Sequence, residues 1–315
     1  MKAIVAGGTG FLGSHLCEYL LNKGYEVLCI DNLITSTGLN ITHLEDNPKF
    51  RFLRYDISNK LPEEMTADEI YHLASPASPN IHSPKSYHAL AFETMQANTV
   101  GTWNLAELAS INKAKFLFAS TSEIYGDPLE HPQKESYRGN VSTTGPRAVY
   151  DEAKRFGETI TSAYIRSKSL DGRIIRIFNT YGPNMALDDG RVVTEFIKAS
   201  IANQPLPIFG NGTQTRSFCY VSDLIEGIFL AMQKQNTKGE VINLGNPNEF
   251  TILELADLII KLTKATSKEI KEKLPEDDPL QRCPDISKAK NLLGWEPQVE
   301  LEEGLKKTIE FFSAS

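Results

Sequence analysis

The 315-residue chain has no apolar run approaching the roughly 20 residues a helix needs to cross a bilayer, so no membrane-spanning segment is expected. It also lacks a basic excess. Against 33 Lys and Arg stand 40 Asp and Glu, a formal net charge of −7 with His neutral. The broad cationic field that nucleic acids and anionic membranes attract is therefore missing, and neither is expected as a partner. A small anion is not excluded, because a few local arginines hold one against the overall sign. Cysteines are few. Cys17, Cys29, Cys219 and Cys283 show neither C-x-x-C nor a metal-ligand spacing, so free buried thiols are expected and a metal is not. The opening residues, Met1 to Gly8, leave no room for a charged and then apolar leader, and the expectation is a cytoplasmic protein. The N-x-S/T triplets at Asn40, Asn140 and Asn211 then read as chance matches. No internal repeat or low-complexity tract occurs.

The remainder is ordinary: 41% hydrophobic and 23% charged residues mark a globular chain rather than a fibrous or disordered one. Its length suits a large core, arranged as two domains or as one large domain with an appendage. Ala3-Ile4-Val5-Ala6 reads as a short strand ending in glycines, residues 14–22 carry apolar side chains at helical spacing, and Gly24 stands where a C-cap glycine would. Residues 25–30 read as a second strand that stops at Asp31, which completes a βαβ unit. Further strands are expected at 51–55, 69–73, 116–119 and 173–177, with long helices over 89–110 and 149–167. This alternation predicts an α/β fold, a Rossmann-type doubly wound parallel sheet with helices on both faces. After Asn179 prolines and glycines break the chain into shorter pieces. Helices are expected at 192–202, 224–233, 252–262 and 301–312, with a strand at 241–244. Residues 1–178 thus read as a dinucleotide-binding domain that takes returning segments near 213–245. Residues 179–315 read mostly as a smaller substrate-binding lobe.

Gly7-Gly8-Thr9-Gly10-Phe11-Leu12-Gly13 spaces its glycines as G-x-x-G-x-x-G between a strand and a helix. Glycines there allow a tight turn and let backbone N–H groups approach a pyrophosphate. Asp31, at the end of the next strand, can accept hydrogen bonds from both adenosine ribose hydroxyls and would repel a 2′-phosphate. Residues 32–48 hold no Arg or Lys to receive one, so NAD is favoured over NADP. Tyr150 and Lys154 stand at i, i+4 on an expected helix, on one face. A nearby ammonium favours the phenolate and is expected to lower the phenol's pKa toward working pH. The strand ending in Ala119-Ser120-Thr121-Ser122-Glu123 adds hydroxyls where α/β sheets bind ligands.

These features together resemble the extended short-chain dehydrogenase/reductase family, whose members act on nucleotide sugars. Longer stretches at 73–79, 119–128, 176–183, 188–193, 214–218 and 277–286 are similar to its branch that decarboxylates UDP-glucuronate. The resemblance implies that Tyr150 takes the proton of the 4-hydroxyl while NAD⁺ accepts hydride from carbon 4. The 4-keto uronate then loses CO₂, and reprotonation and hydride return give UDP-xylose. It further implies roles at the sugar for Thr121, Glu123 and Arg282, with Ser122 beside them. Asn179, Arg191 and Arg216 match positions lining the nucleotide-sugar site. Cofactor contacts carry over to Gly7, Gly10, Phe11, Leu12, Gly13, Asp31, Asn32, Asp56, Ile57, Leu73, Tyr150 and Lys154. A UDP-sugar substrate and a homodimer built from the helices over 89–110 and 149–167 are also implied. The sequence departs from the branch at 80–97, which is longer, at Arg138, where Trp is usual, and at Ser142-Thr143-Thr144, which replaces an Asn-Pro-Ile-like stretch. These segments border the sugar, so a 4-epimerase acting on a UDP-sugar or UDP-uronate and a nucleotide-sugar 4,6-dehydratase stay open.

Overall fold

Along Lys2–Ala6 (β1) side chains alternate between two faces, and Ala3 to Ala6 are buried on both, the mark of a strand covered above and below. The structure is a computed structural model that describes residues 1–272 and 281–314. After β1 come α1 (Phe11–Asn22), β2 (Glu26–Asp31), β3 (Phe50–Arg54), β4 (Glu69–His72), α2 (Ala91–Gln96), α3 (Thr102–Asn112) and β5 (Lys115–Thr121). There follow α4 (Ala148–Lys168), β6 (Asp171–Ile177), β7 (Thr180–Tyr181), α5 (Val192–Ile201), β8 (Leu206–Phe209), β9 (Thr215–Ser217), β10 (Cys219–Tyr220) and α6 (Val221–Gln233). The chain continues through β11 (Val241–Leu244), β12 (Glu249–Thr251), α7 (Ile252–Thr263), β13 (Glu269–Glu272), β14 (Gln281–Arg282), α8 (Ser287–Leu293) and α9 (Leu301–Ala314).

Among the described residues, seven strands form one sheet in the order β11-β6-β5-β4-β1-β2-β3, and every pairing is parallel. Its two faces bury separate clusters. Ala3 and Val5 pack with Leu16, Leu20, Leu224 and Ile228 of α1 and α6, whereas Ile4 and Ala6 pack with Leu105 of α3 and Ile160 of α4. The fold is thus the doubly wound α/β architecture that the strand–helix alternation predicts. β11, from the second half of the chain, lies beside β6 and completes the sheet's edge.

The expected helix over 89–110 is α2 and α3 joined by one π-helical turn, Ala97–Gly101. Side chains occupy the backbone there. Asn98 donates to Thr94 O at 2.8 Å, and Thr102 donates to Asn98 O at 2.7 Å. Short pairings in the second half had no legible period. β7 pairs with β10, β13 with β8, and β9 lies between β12 and β14. The winding direction reverses between β1 and β4, and the crevice at their carboxyl ends is where such sheets hold ligands.

Candidate active site

A cavity of about 480 Å³ opens over that crevice. Its floor is the loop from β1 into α1. Gly7 has φ +80°, and a Cβ there would sit 2.6 Å from Ala74 Cα; a Cβ on Gly13 would sit 2.1 Å from Gly7 O. The glycines are therefore what lets strand, turn and helix meet. α1 begins with Gly10 as its N-cap, with no side-chain cap and no acid in its first turn. The first N–H groups of the helix are left to an anionic ligand, helped by the positive end of the helix dipole. At β2's end, Asp31 accepts from Thr9 N–H at 3.2 Å and Leu33 N–H at 2.9 Å, which fixes its carboxylate at the cavity wall. Asn32 donates to Asp56 at 3.0 Å, and Asp56 also accepts from Ser58, so the next strand end is tied into the same wall. This cradle fits an elongated dinucleotide: backbone donors for its pyrophosphate, an acid for a ribose, and no room for a side chain between.

Deeper in, Tyr150 and Lys154 of α4 face the end of β5. Lys154 Nζ donates to Ala119 O at 2.7 Å and lies 5.8 Å from the Tyr150 ring centroid. The Tyr150 ring stacks on Tyr87, with centroids 4.9 Å apart and planes 12° apart. The expected lowering of the phenol does not hold in this chain on its own. Burial, with Glu123 adding, pushes Tyr150 well above the usual phenol range, while Arg191 and Thr121 pull it down. Burial also pushes Lys154 down to about 7, against the pull of Glu158, so its own charge is weakened. The spacing placed the pair correctly. The sign of the shift depends on how tightly Tyr87 and neighbouring segments seal the phenol, which spacing does not reveal.

Glu123 sits in the turn that follows β5, where Thr121 Oγ1 accepts from its N–H at 3.2 Å. Its carboxylate accepts from Arg147 Nη2 at 2.6 Å, and Arg282 Nη1 approaches at 3.8 Å. Burial raises Glu123, but Arg147, Arg282 and Arg191 outweigh it and hold the group below its usual range. Arg191 accepts no simple surface role either. It donates to both Asp189 oxygens at 2.8 Å and to Ala77 O at 2.7 Å, which ties the loop after β4 to the start of α5. Around this end of the cavity, Tyr87 Oη, Asp151 Oδ1 and Arg282 Nε are buried polar atoms with no hydrogen-bond partner among the described residues.

Of the residues singled out from sequence, Gly7, Gly10, Phe11, Leu12, Gly13, Asp31, Asn32, Asp56, Ile57 and Leu73 line the cavity together with Thr121, Ser122, Glu123, Tyr150, Lys154, Asn179 and Arg191. Arg216 and Arg282 do not line it. They are paired neighbours on β9 and β14, both buried, and Arg282 reaches the site through Glu123. Residues 277–280 of the block that suggested Arg282 lie outside the described residues. Tyr87, Arg147 and Asp151 also belong to this end of the site, though no motif singles them out. Tyr87 belongs to the unusual 80–97 segment. Arg147 and Asp151 are spaced i, i+4, as Tyr150 and Lys154 are, so the same face argument applies to them.

The chain matches the family described as GDP-mannose 4,6 dehydratase over residues 4–308. It is 47% identical over 312 residues to UDP-glucuronic acid decarboxylase 1 of Arabidopsis thaliana, covering 99% of this chain and 70% of that one. It is 48% identical to UDP-glucuronic acid decarboxylase 6 of the same plant, covering 99% and 89%. Among solved structures, it is similar to UDP-glucuronic acid 4-epimerase from Bacillus cereus in complex with UDP-glucuronic acid and NAD. There the TM-score is 0.88 at 33% identity, covering 100% and 99% of the two chains.

Proposed function

The chain belongs to the GDP-mannose 4,6 dehydratase family, and we propose that it is an NAD-dependent UDP-glucuronate decarboxylase that makes UDP-xylose and CO₂ through a 4-keto intermediate. The observation that carries this reading is Glu123, a carboxylate held between Arg147 and Arg282 beside Tyr150, in a chain whose similar relatives include UDP-glucuronic acid decarboxylases. Residues 1–178 with the returning strand β11 hold the cofactor, and the rest mostly forms the substrate lobe. Gly7, Gly10, Phe11, Leu12 and Gly13 hold the NAD pyrophosphate, Asp31 and Asn32 the adenosine ribose, and Tyr150 and Lys154 the nicotinamide end. NAD bound there supplies reversible two-electron oxidation at carbon 4.

The chain's own residues do the rest. Tyr150 accepts the 4-hydroxyl proton, with Thr121 and Arg191 the groups that favour its ionised form. Lys154, fixed by Ala119 O, orients the ribose and the phenol together. The resulting 4-keto uronate is a β-keto acid, so its carboxylate leaves with the bonding electrons drawn into the ketone. Arg147 and Arg282 balance the negative charge that Glu123 and the uronate bring to one place. Asn179 and Arg191, which line the cavity, complete the nucleotide-sugar site, while Arg216 is buried beside Arg282 outside that lining.

Incubation with UDP-glucuronate and NAD⁺ tests this: UDP-xylose is the expected product. A specific observation favours a second reading, since the B. cereus structure is a UDP-glucuronic acid 4-epimerase of the same fold. UDP-galacturonate as product would establish that reading instead. We also propose a homodimer, because Phe92, Trp103 and Phe156 of α2, α3 and α4 are 74%, 56% and 52% exposed on the helices expected to pair. All four cysteines are buried free thiols, the state a reducing compartment maintains, and the same proposal places the chain in the cytoplasm.

A further inference from the structure

The decarboxylase reading, on which this inference rests, requires a proton. Loss of CO₂ from a carboxylate leaves a carbon that must gain one hydrogen ion, and each turnover consumes one from solvent. Asp151, in the first turn of α4, is only 5% exposed. Its Oδ1 is sealed from solvent and receives no hydrogen bond from any described residue. Within hydrogen-bonding reach of its carboxyl is Glu123. Glu123 already accepts from Arg147 at 2.6 Å and has Arg282 at 3.8 Å, so two basic groups stabilise it as a carboxylate. Two carboxyl groups this close make a favourable contact only when one of them carries a proton.

We propose that Asp151 and Glu123 hold one proton between them and that this proton is the one delivered to carbon 5 as CO₂ leaves. As the bond between carbon 5 and the carboxylate breaks, its electron pair enters the carbon 4 ketone and gives an enolate. Asp151 passes the shared proton to Glu123, carbon 5 takes it from Glu123, which lines the cavity, the ketone re-forms, and both groups are left as carboxylates. A proton from solvent then restores the pair. Asp151 acts through Glu123 and does not itself line the cavity. The groups facing Asp151 are Glu123 from the turn after β5, Arg147 ahead of α4, Arg282 from β14, and the phenols of Tyr87 and Tyr150. Burial first and Glu123 second push Asp151 up to about 8, against the pull of Arg147 and Arg282.

Infrared titration of the NAD-loaded full chain without substrate tests the shared proton independently of turnover. The expected result is a protonated-carboxyl carbonyl band at mildly acidic pH that fades near pH 8 and is missing in Asp151→Asn. In Glu123→Gln, which removes the like charge, the band fades at lower pH. A band that persists in Asp151→Asn, or is absent from the parent chain, overturns the dyad. With UDP-glucuronate, Asp151→Asn should lower kcat by at least about tenfold, leave KM within about twofold and remove the alkaline limb of the kcat profile. Asn keeps a hydrogen bond to Glu123, so a purely structural Asp151 would leave kcat and the profile unchanged, and that outcome overturns the proton supply. A parent chain that shows the band but releases no CO₂ would sink the decarboxylase reading and leave the dyad standing.

Discussion

Tyr150 is the residue on which the site's acid–base chemistry turns. Replacing it by Phe keeps the stack on Tyr87 and removes only the hydroxyl. Tyr150→Phe should therefore lower kcat by about 10²–10⁴-fold while NAD affinity, read by calorimetry, stays near that of the parent. Retention of kcat would show that another group takes the 4-hydroxyl proton. The Tyr150/Lys154 pair was legible because a helix turns a fixed spacing into a shared face. The direction of the phenol's shift was not, because it is set first by burial beneath residues distant in sequence and then by Glu123. Asp151 was hidden for a different reason: its significance depends on Glu123, 28 positions earlier (151 − 123), and only the fold brings the two carboxyls together.

At the scale of elements, the β1–α1 turn and the π-turn make separate predictions. Gly13→Ala would drive a Cβ to 2.1 Å from Gly7 O and 2.6 Å from Gly8 Cα, both backbone atoms that cannot swing aside. NAD affinity should fall at least about tenfold, and overpacking should cost about 1–3 kcal/mol of stability by denaturant titration. An unchanged affinity would mean that the turn does not cradle the cofactor. His72, at the end of β4, reports on the π-turn. Its Nε2 lies 3.1 Å from Thr102 Oγ1 and 3.2 Å from Ala97 O, while Nδ1 is buried without a partner among the described residues. Thr102 spends its own proton on Asn98 O, so Nε2–H is the donor, and the buried Nδ1, with no acceptor among the described residues for a second proton, leaves the ring neutral. Burial and then Lys154 lower His72 to about 3. The unfolded state thus binds more protons between pH 6.5 and about 3, and the stability His72 contributes is present above that window and lost as pH falls through it. Melting temperatures recorded across the window should fall more steeply for the parent than for His72→Gln; equal slopes would contradict this. The six strands of the first half were legible because their apolar runs and flanking glycines or acids are strong local signals. The small pairings β7–β10, β8–β13 and β12–β9–β14 were not, since strands of two to four residues are too short to show a period.

For the molecule as a whole, the exposed apolar faces of α2, α3 and α4 predict self-association. Charge placed there, as in Trp103→Asp with Phe156→Asp, should halve the mass seen by light scattering and leave the far-ultraviolet circular dichroism unchanged. A parent chain already at the monomer mass would contradict the dimer. The sequence showed where those helices run but not which of their apolar residues face outward, because that depends on how α3 and α4 cover the sheet. The acidic net charge is likewise a property of the whole surface. The site gathers Arg147, Arg191 and Arg282 around Glu123, a cluster of cations that the acidic net charge does not reveal. The most direct test follows the carboxylate itself. UDP-glucuronate labelled with ¹³C at carbon 6, incubated with the enzyme and NAD⁺, should release the label as CO₂ equimolar with UDP-xylose and with no net NADH. Label retained in a UDP-uronate epimer would contradict the account.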